Sequence, residues 1–286
     1  MTNSKPILIV DGDALAHRAY HALGKITGSN GRPVGLLQGT ISMLASAWDL
    51  FEPRVLAVAI DSRLPSYRNE LWPAYQAQRD PFADDLIEQL DALPALVAAF
   101  RIPAIRLDPW EADDVCATLV ALEETAGGQA LVLTHDRDAF QLASSQTSII
   151  RPLSGMSETE LVNPAGVVER YGVTPHQVPD LIALRGDPSD NIPGARGIGQ
   201  KTAAEVLQQY GDLEGVIAHA SELTPARSKA VAESAEDLRC FRQLAVMQAD
   251  LPIERPDDRV PDWQAGAKAC ADAGMARLAG RLEQRA

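Results

Sequence analysis

The chain has 286 residues, 46% of them hydrophobic and 23% charged, enough for one large α/β domain or a catalytic domain with a smaller helical one. A net charge of −13 argues against a broad basic face for nucleic acid, and three scattered cysteines (Cys116, Cys240, Cys270) form neither a disulfide framework nor a paired zinc motif. No apolar run approaches the roughly 18–20 residues that span a bilayer, and the opening MTNSKP lacks the features of a secretory leader, so a cytoplasmic setting without membrane contact is expected.

Three apolar runs rich in β-branched residues each end at an aspartate: 7–10 before Asp11, 55–60 before Asp61, and 131–135 before Asp136. Continuous runs of this kind read as strands buried on both faces of a parallel sheet. Helical patterns near 35–51, 84–100 and 110–125 alternate with them in βαβ succession. Ligand sites in such sheets lie beyond the carboxyl ends of the strands, where these aspartates fall. The stretch 62–82, SRLPSYRNELWPAYQAQRDPF, has three prolines, three arginines and four aromatics, and reads as a long functional insertion. From about 165 the pattern is helical. Thr174-Pro175-His176-Gln177 predicts a capping box opening a helix to Gly186, and a second helix is expected from Gln200 to Gly211.

Nine acids form a candidate metal site: Asp11; Asp61; Glu111, Asp113 and Asp114 in WEADDV; Asp136 and Asp138 in THDRD; Asp187 and Asp190 in GDPSDN. Setting those nine aside reduces the net charge from −13 to −4, so binding of a polyanion would rest on local cations, helix N-termini and metal. Carboxylate oxygens suit hard ions such as Mg²⁺ or Mn²⁺ and do not suit zinc. Without cations, each unscreened pair at about 4 Å costs about 1 kcal/mol in water and about 4 at an effective dielectric of 20. Taken singly, each element also has a bland reading: Asp108-Pro109-Trp110-Glu111 as a helix cap, Asp187-Pro188-Ser189-Asp190 as another, and the strand-end aspartates as turn residues.

The segment GARGIGQKTAAEVLQQYG, 194–211, opens a helix with three glycines and a lysine. Gln200 separates Gly199 from Lys201, which excludes a Walker A loop, and Thr202 stands where a Rossmann fingerprint needs glycine. What remains is a set of backbone N–H groups at a helix N-terminus that binds phosphate without reading bases.

Together these segments, over roughly 7–255, closely resemble the 5′ nuclease family, which comprises the N-terminal domain of bacterial DNA polymerase I, phage 5′ exonucleases and flap endonucleases. VDGDALAHRAYHAL resembles its first motif, which implies Asp11 as a metal ligand and Arg18, with Tyr20, as DNA contacts. IDSRLPSYRNE supplies Asp61 and Arg68, the latter beginning an arch for single-stranded 5′ ends that also carries Tyr75, Gln76 and Arg79. By the resemblance, Asp11, Asp61, Glu111 and Asp113 serve one Mg²⁺ or Mn²⁺ ion, and Asp113, Asp136, Asp138 and Asp190 the second, with Asp114 and Asp187 as outer or weaker ligands. Arg68, Arg79, Asp113 and Asp136 are the implied catalytic residues. GARGIGQKTA is similar to the helix-hairpin-helix that grips duplex DNA through Gly194, Gly197, Ile198, Gly199, Gln200, Lys201 and Thr202, with a K⁺ ion.

The implied fold is α/β: a mostly parallel, PIN-like catalytic domain over 1–170 with an arch at about 62–100. A helical DNA-binding region follows over 171–286, with its hairpin at about 175–211. The implied function is structure-specific 5′→3′ exonuclease and 5′-flap endonuclease chemistry on DNA with a 5′ flap, overhang or nick, and on RNA–DNA primers. A monomer is expected, with a separate DNA polymerase as a candidate partner; 286 residues leave no room for a polymerase domain, so the chain reads as either a free-standing nuclease or an excised fragment. One departure stands out: the family places a lysine after the arch tyrosine, and here Gln76 follows Tyr75, with Arg79 the nearest cation. The alternatives are a catalytically weakened DNA-structure-binding protein of the same fold, and a PIN-like ribonuclease, which has no need of the hairpin.

Overall fold

A computed structural model describes residues 5–23 and 26–285; the first four residues of MTNSKP lie outside them. Six strands, β1 (Ile7–Asp11), β2 (Val55–Ala59), β3 (Ala104–Ile105), β4 (Ala130–Leu133), β5 (Thr147–Ser154) and β6 (Glu158–Val162), form one sheet in the order β3-β2-β1-β4-β5-β6. All neighbours run parallel except β5 and β6, which form an antiparallel hairpin at the edge. The apolar runs predicted the three central strands. The short β3 and the β5–β6 hairpin were not anticipated, because Ala104–Ile105 is too short to show a period and ETELV in β6 is half polar.

Register sets the site. Asp11 pairs with Ala59 and Val10 with Leu133, so β1, β2 and β4 end at one level and their following aspartates project from one edge. Alternation along β1 divides the core into two layers. Ile7 and Ile9 face a cluster with Val115 and Leu119 of α5 (Ala112–Thr125). Leu8 and Val10 face a cluster built with α1 (Gly12–Leu23), α2 (Gly35–Phe51) and α4 (Asp84–Ala99). The short α3 (Arg68–Leu71) lies between β2 and α4. Each such aliphatic side chain buried contributes about 1.5–3 kcal/mol of transfer free energy. Helix α1 begins at the residue after β1, a reversal that leaves no room at Gly12: a Cβ there would lie 2.7 Å from the Ala59 carbonyl oxygen and 2.6 Å from Val58.

The helical half comprises α6 (Pro164–Tyr171), α7 (Val178–Arg185), α8 (Gln200–Tyr210), α9 (Leu213–Ala218), α10 (Pro225–Glu233) and α11 (Ala235–Ala245), and it extends the α5 layer. The expected capping box is present, with Gln177 accepting the Thr174 N–H at 2.9 Å, and α7 and α8 stop before Gly186 and Gly211 as predicted. Two expectations need correction. First, α12 (Trp263–Asp272) and α13 (Ala276–Glu283) do not continue the helical half: Trp263, Ala267, Cys270, Leu278 and Leu282 complete the opposite layer beside α2 and α4. Second, α4, which lies within the range expected for the arch, packs on the sheet: Leu86, Leu90, Leu93 and Val97 are buried against that same layer. The exposed insertion is therefore confined to the residues between β2 and α4.

Candidate functional site

Beyond the strand ends lies a cleft of about 350 Å³ lined by Asp11, Asp61, Glu111, Asp113, Asp136 and Asp190. Backbone and hydroxyl donors hold the acids in place. Asp11 Oδ1 accepts the Ala14 N–H at 3.0 Å, and its Oδ2 accepts the Thr134 hydroxyl at 2.8 Å; Thr134 Oγ1 in turn accepts the Asp136 N–H at 3.0 Å. Asp61 Oδ1 accepts the Ala112 N–H at 2.7 Å, and Asp136 Oδ1 accepts the Asp138 N–H at 2.8 Å. These bonds run to the protein's own donors and leave the cleft-facing charge uncompensated.

The titration of the acids records that crowding. Burial, outweighing the bonds from Ala14 and Thr134, pushes Asp11 up to about 7, with the charges of Asp136 and Asp13 adding to it. Burial and then neighbouring carboxylates raise Asp61, Asp113 and Asp138 as well. Asp190 is raised to about 6 by burial, against the lowering charge of Arg79.

The donor set fits a hard divalent ion. Its acids are all oxygen donors, Asp11 buried and the others half-buried, and Glu111 Oε1 is shielded from solvent without a hydrogen-bond partner, its nearest cation being Arg68 Nη1 at 3.5 Å. Among the described residues no three acids form a closed cage. Mg²⁺ does not require one, because it retains several waters and uses only one or two carboxylates directly.

Asp190 arrives on a loop closed on itself. Asp187 and Ile192 exchange backbone hydrogen bonds at 2.8 Å, and Asp187 Oδ1 accepts the Ser189 N–H at 2.8 Å. The insertion closes over this loop. Gln76 Nε2 and Arg79 Nη2 donate to Asp190 Oδ1 at 3.0 and 2.9 Å, the Gln76 N–H donates to the Asp190 carbonyl at 3.1 Å, and Asn191 Nδ2 donates to Ala74 O at 2.7 Å. Gln76 sits at φ 54°, a left-handed conformation uncommon for a side-chain-bearing residue, and these bonds hold it there.

Several expected site residues have other employment. Arg68 is 3% exposed and forms a two-pronged ion pair with the fully buried Asp114 at 2.8 Å on both arms, while its Nε donates to Leu244 O at 2.7 Å. That pair joins the insertion to α5 and α11, so neither residue is free for DNA or metal. Asp114 Oδ2 also accepts the Glu111 N–H at 3.2 Å, which makes Glu111 the cap of α5 and moves the cap three residues beyond the expected Asp108. Tyr75 is 4% exposed, with its hydroxyl donating to Glu111 Oε2 at 3.1 Å, and burial raises its phenol. The Tyr20 hydroxyl bonds Asp85 at 2.9 Å and ties α1 to α4. Arg68, Asp114, Tyr75 and Tyr20 are thus each engaged by partners within the protein.

In the hairpin, Gly194 (φ 68°) backs onto Gly186, whose nitrogen would lie 2.3 Å from an added Cβ, so it closes the Asp190 loop; Ile198 is buried in the core. Gly197 and Gly199 are open to solvent, Lys201 is 91% exposed, and no side chain caps α8. Gln200 accepts from Arg185 at 3.4 Å and Thr202 from Arg227 at 3.2 Å. Arg18 is half-buried and donates to Leu153 O at 2.9 Å. Sequence reasoning missed Asp13, His17, Phe82 and His135, which also line the cleft. His17 follows Asp13 by four residues, one helical turn within α1, a signal that was available.

A parallel sheet with acids at its strand ends, followed by a glycine-turned helical hairpin, defines a resolvase-like α/β domain joined to a SAM-like helical domain. Residues 6–172 match the 5′-3′ exonuclease N-terminal resolvase-like domain and residues 173–265 the 5′-3′ exonuclease C-terminal SAM fold, and the chain belongs to this 5′-3′ exonuclease family. It is 38% identical over 248 residues to the thermostable DNA polymerase I of Thermus thermophilus, covering 87% of this chain and 29% of the polymerase. It is 35% identical over 266 residues to DNA polymerase I of Mycobacterium leprae, covering 91% and 29%. The chain thus spans under a third of the length of these relatives. The fold is that of the T5 D15 protein co-crystallised with metal ions (TM-score 0.73, 19% identity, 98% and 97% of the two chains). It is shared by flap endonuclease-1 from Methanococcus jannaschii (TM-score 0.66, 14% identity, 98% and 91%).

Proposed function

We propose that the chain is a structure-specific 5′→3′ exonuclease and 5′-flap endonuclease that hydrolyses phosphodiester bonds in DNA and in RNA primers. The observation that carries this reading is the convergence of Asp11, Asp61, Asp113 and Asp136 from three strand ends and one helix into a single cleft, on a chain of the 5′-3′ exonuclease family. Asp11, Asp61, Glu111 and Asp113 hold one Mg²⁺ or Mn²⁺ ion, and Asp113, Asp136, Asp138 and Asp190 the second, with Asp187 outside them. When bound, such ions activate water and stabilise the leaving oxygen. The chain's own residues do the rest. The strand-end bonds from Ala14, Thr134 and Ala112 fix carboxylate directions, and Arg79 supplies a cation at the mouth of the cleft. Backbone N–H groups at the start of α8, with Gly197, Gly199 and Lys201, grip phosphate without reading sequence, beside a K⁺ ion. Residues 1–170 and 171–262 act as catalytic and DNA-holding parts. The protein works as a cytoplasmic monomer on 5′ flaps, overhangs and nicks, beside a DNA polymerase.

The test offers a 5′-flap DNA to wild type and Asp136→Asn, with Mg²⁺ or with EDTA. Cleavage that requires metal and disappears in the variant is expected. Tight binding without cleavage under any divalent ion would instead support the second reading, a weakened DNA-structure-binding protein, which Gln76 in place of lysine favours. Preference for single-stranded RNA over flap DNA would point to a ribonuclease.

A further inference from the structure

Asp13 is a buried carboxylate, 4% exposed, in the first turn of α1. Both of its oxygens are committed to protein donors. Oδ2 accepts the Asp61 N–H at 2.8 Å, and Oδ1 accepts Nη1 of Arg63 at 2.8 Å. Arg63 reaches on to the Asp91 carboxylate and the Leu90 carbonyl of α4, each at 3.4 Å. Asp61 follows the end of β2: the N–H of Ile60 still bonds Ile105 O across the sheet, and the next N–H has Asp13 as its acceptor. A buried N–H left without one carries a desolvation cost, so the peptide of Asp61 is tied to α1. Its carboxylate is meanwhile held from the other side by the Ala112 N–H at the head of α5.

We propose that Asp13 is a positioning residue for Asp61, fixing the strand-end peptide whose carboxylate takes the divalent ion, while Arg63 neutralises Asp13 and keeps it from becoming a ligand itself. This rests on the nuclease reading above. A bare fourth charge beside Asp11, Asp61 and Asp113 would add repulsion to an already crowded cleft. The guanidinium offsets part of that repulsion, the rest still reaching Asp11 and Asp61, and leaves one oxygen of Asp13 for the Asp61 N–H. Asp11 and Asp13, two residues apart, both line the cleft and differ in their partners: Asp11 is held by an N–H and a hydroxyl, whereas Asp13 takes the cation Arg63 and the backbone of the next strand.

Mn²⁺ titration of the DNA-free protein, with free Mn²⁺ counted by electron paramagnetic resonance, separates the possibilities. Three chains are compared: wild type, Asp13→Ala, and Asp13→Asn combined with Arg63→Gln. Asp13→Ala is expected to raise the Mn²⁺ dissociation constant about 10-fold or more, as for other groups that orient a ligand. The Mg²⁺ needed for half-maximal single-turnover flap cleavage should rise in proportion, with the rate at saturating Mg²⁺ changed far less. The double variant keeps an amide oxygen for the Asp61 N–H and lets two neutral amides pair, so its Mn²⁺ affinity should stay close to wild type. Should Asp13→Ala fail to fold, Asp13→Glu replaces it: the added methylene displaces the oxygen from Asp61, and the same loss of affinity is expected. Unchanged Mn²⁺ affinity in the displaced variant overturns the proposal. So does an equal loss in the double variant, which would make Asp13 a direct ligand. A wild-type protein that neither binds Mn²⁺ nor cuts flap DNA defeats the nuclease reading itself, whereas one that does both beside an unaffected Asp13→Ala defeats only the positioning role.

Discussion

Helix α5 has a half-buried carboxylate at its head and a buried one at its foot, and the fold treats the two in opposite ways. At its head, burial and then the charges of Asp136, Asp11 and Asp61 raise Asp113 far from its ordinary value. At its foot, the Glu123 side chain is 2% exposed, yet the hydrogen bonds of Arg255 and Arg54 outweigh burial and hold its carboxyl below the usual range. Where a buried acid serves the fold, the chain supplies the cation. Where it supplies none, the acid is available to a cation from solution. Arg68 and Asp114 repeat the first case one residue from Asp113, so burial alone does not mark a site, whereas burial among like charges does.

The comparison can be broken in four ways. The largest effect is expected from Asp113→Asn, which should lower single-turnover flap cleavage by more than about 10²-fold, since even outer partners of a metal are worth 10–100-fold. Its melting temperature in EDTA should be unchanged or higher, because a repelled charge is removed; a protein that unfolds instead would place Asp113 with the structural acids. At the foot of the helix the converse holds. Glu123→Gln should destabilise the fold by about 3–5 kcal/mol, the cost of stripping one partner from a buried ion pair, while activity per folded molecule is kept. Chemical denaturation beside active-site titration checks both halves.

Third, pH separates the ends. Asp11 binds its proton in the folded protein up to about pH 7 but in the unfolded chain only near 3.8, so the folded state carries more protons between those values. Stability of the metal-free protein should therefore rise as pH falls from 8 towards 6.5, by a few degrees in melting temperature. Below about 6.5 this gain is opposed by His17 and His135, whose burial holds them neutral in the fold and lowers their titration. Glu123 responds in the other direction: its contribution is present above the unfolded carboxylate value and is lost only as pH falls below that, outside this window. A melting temperature that drops between pH 8 and 6.5 in EDTA would contradict the crowding at the head of α5. Smallest is Gln76→Lys, which places a cation where Gln76 now donates to Asp190, and should raise single-turnover cleavage several-fold. No increase would show that Arg79 already meets the need.

Much of this was legible in the sequence, for physical reasons. Strands buried on both faces leave unbroken apolar runs, so Asp11, Asp61 and Asp136 could be placed at strand ends before any coordinates. The turn residues Thr174, Gly186 and Gly211 marked helix ends because their chemistry is local. What could not be read was rotational phase. Asp113 and Asp114 are adjacent, and a helix turns about 100° per residue, so one meets the cleft and the other Arg68. Moving the cap from Asp108 to Glu111 decides which is which. Nor could the sequence show the partners of Tyr75 and Arg68, which lie 36 and 46 residues away. Helices α12 and α13 carry an ordinary amphipathic pattern that says nothing of which layer they cover.

Their placement has a consequence for how the chain is made. The layer containing Leu8, Val10, Leu56 and Val58 is closed by Trp263, Ala267, Leu278 and Leu282, all more than 200 positions later. A chain synthesised from its N-terminus has β1, β2 and α2 early, yet lacks the cover of α12 and α13 on one side of the sheet until the whole helical half has been added. Contacts that distant in sequence form late and leave apolar surface open to neighbours in the meantime. The residues that line the acidic cleft all lie before 191, so they are synthesised well before the segment that seals this layer.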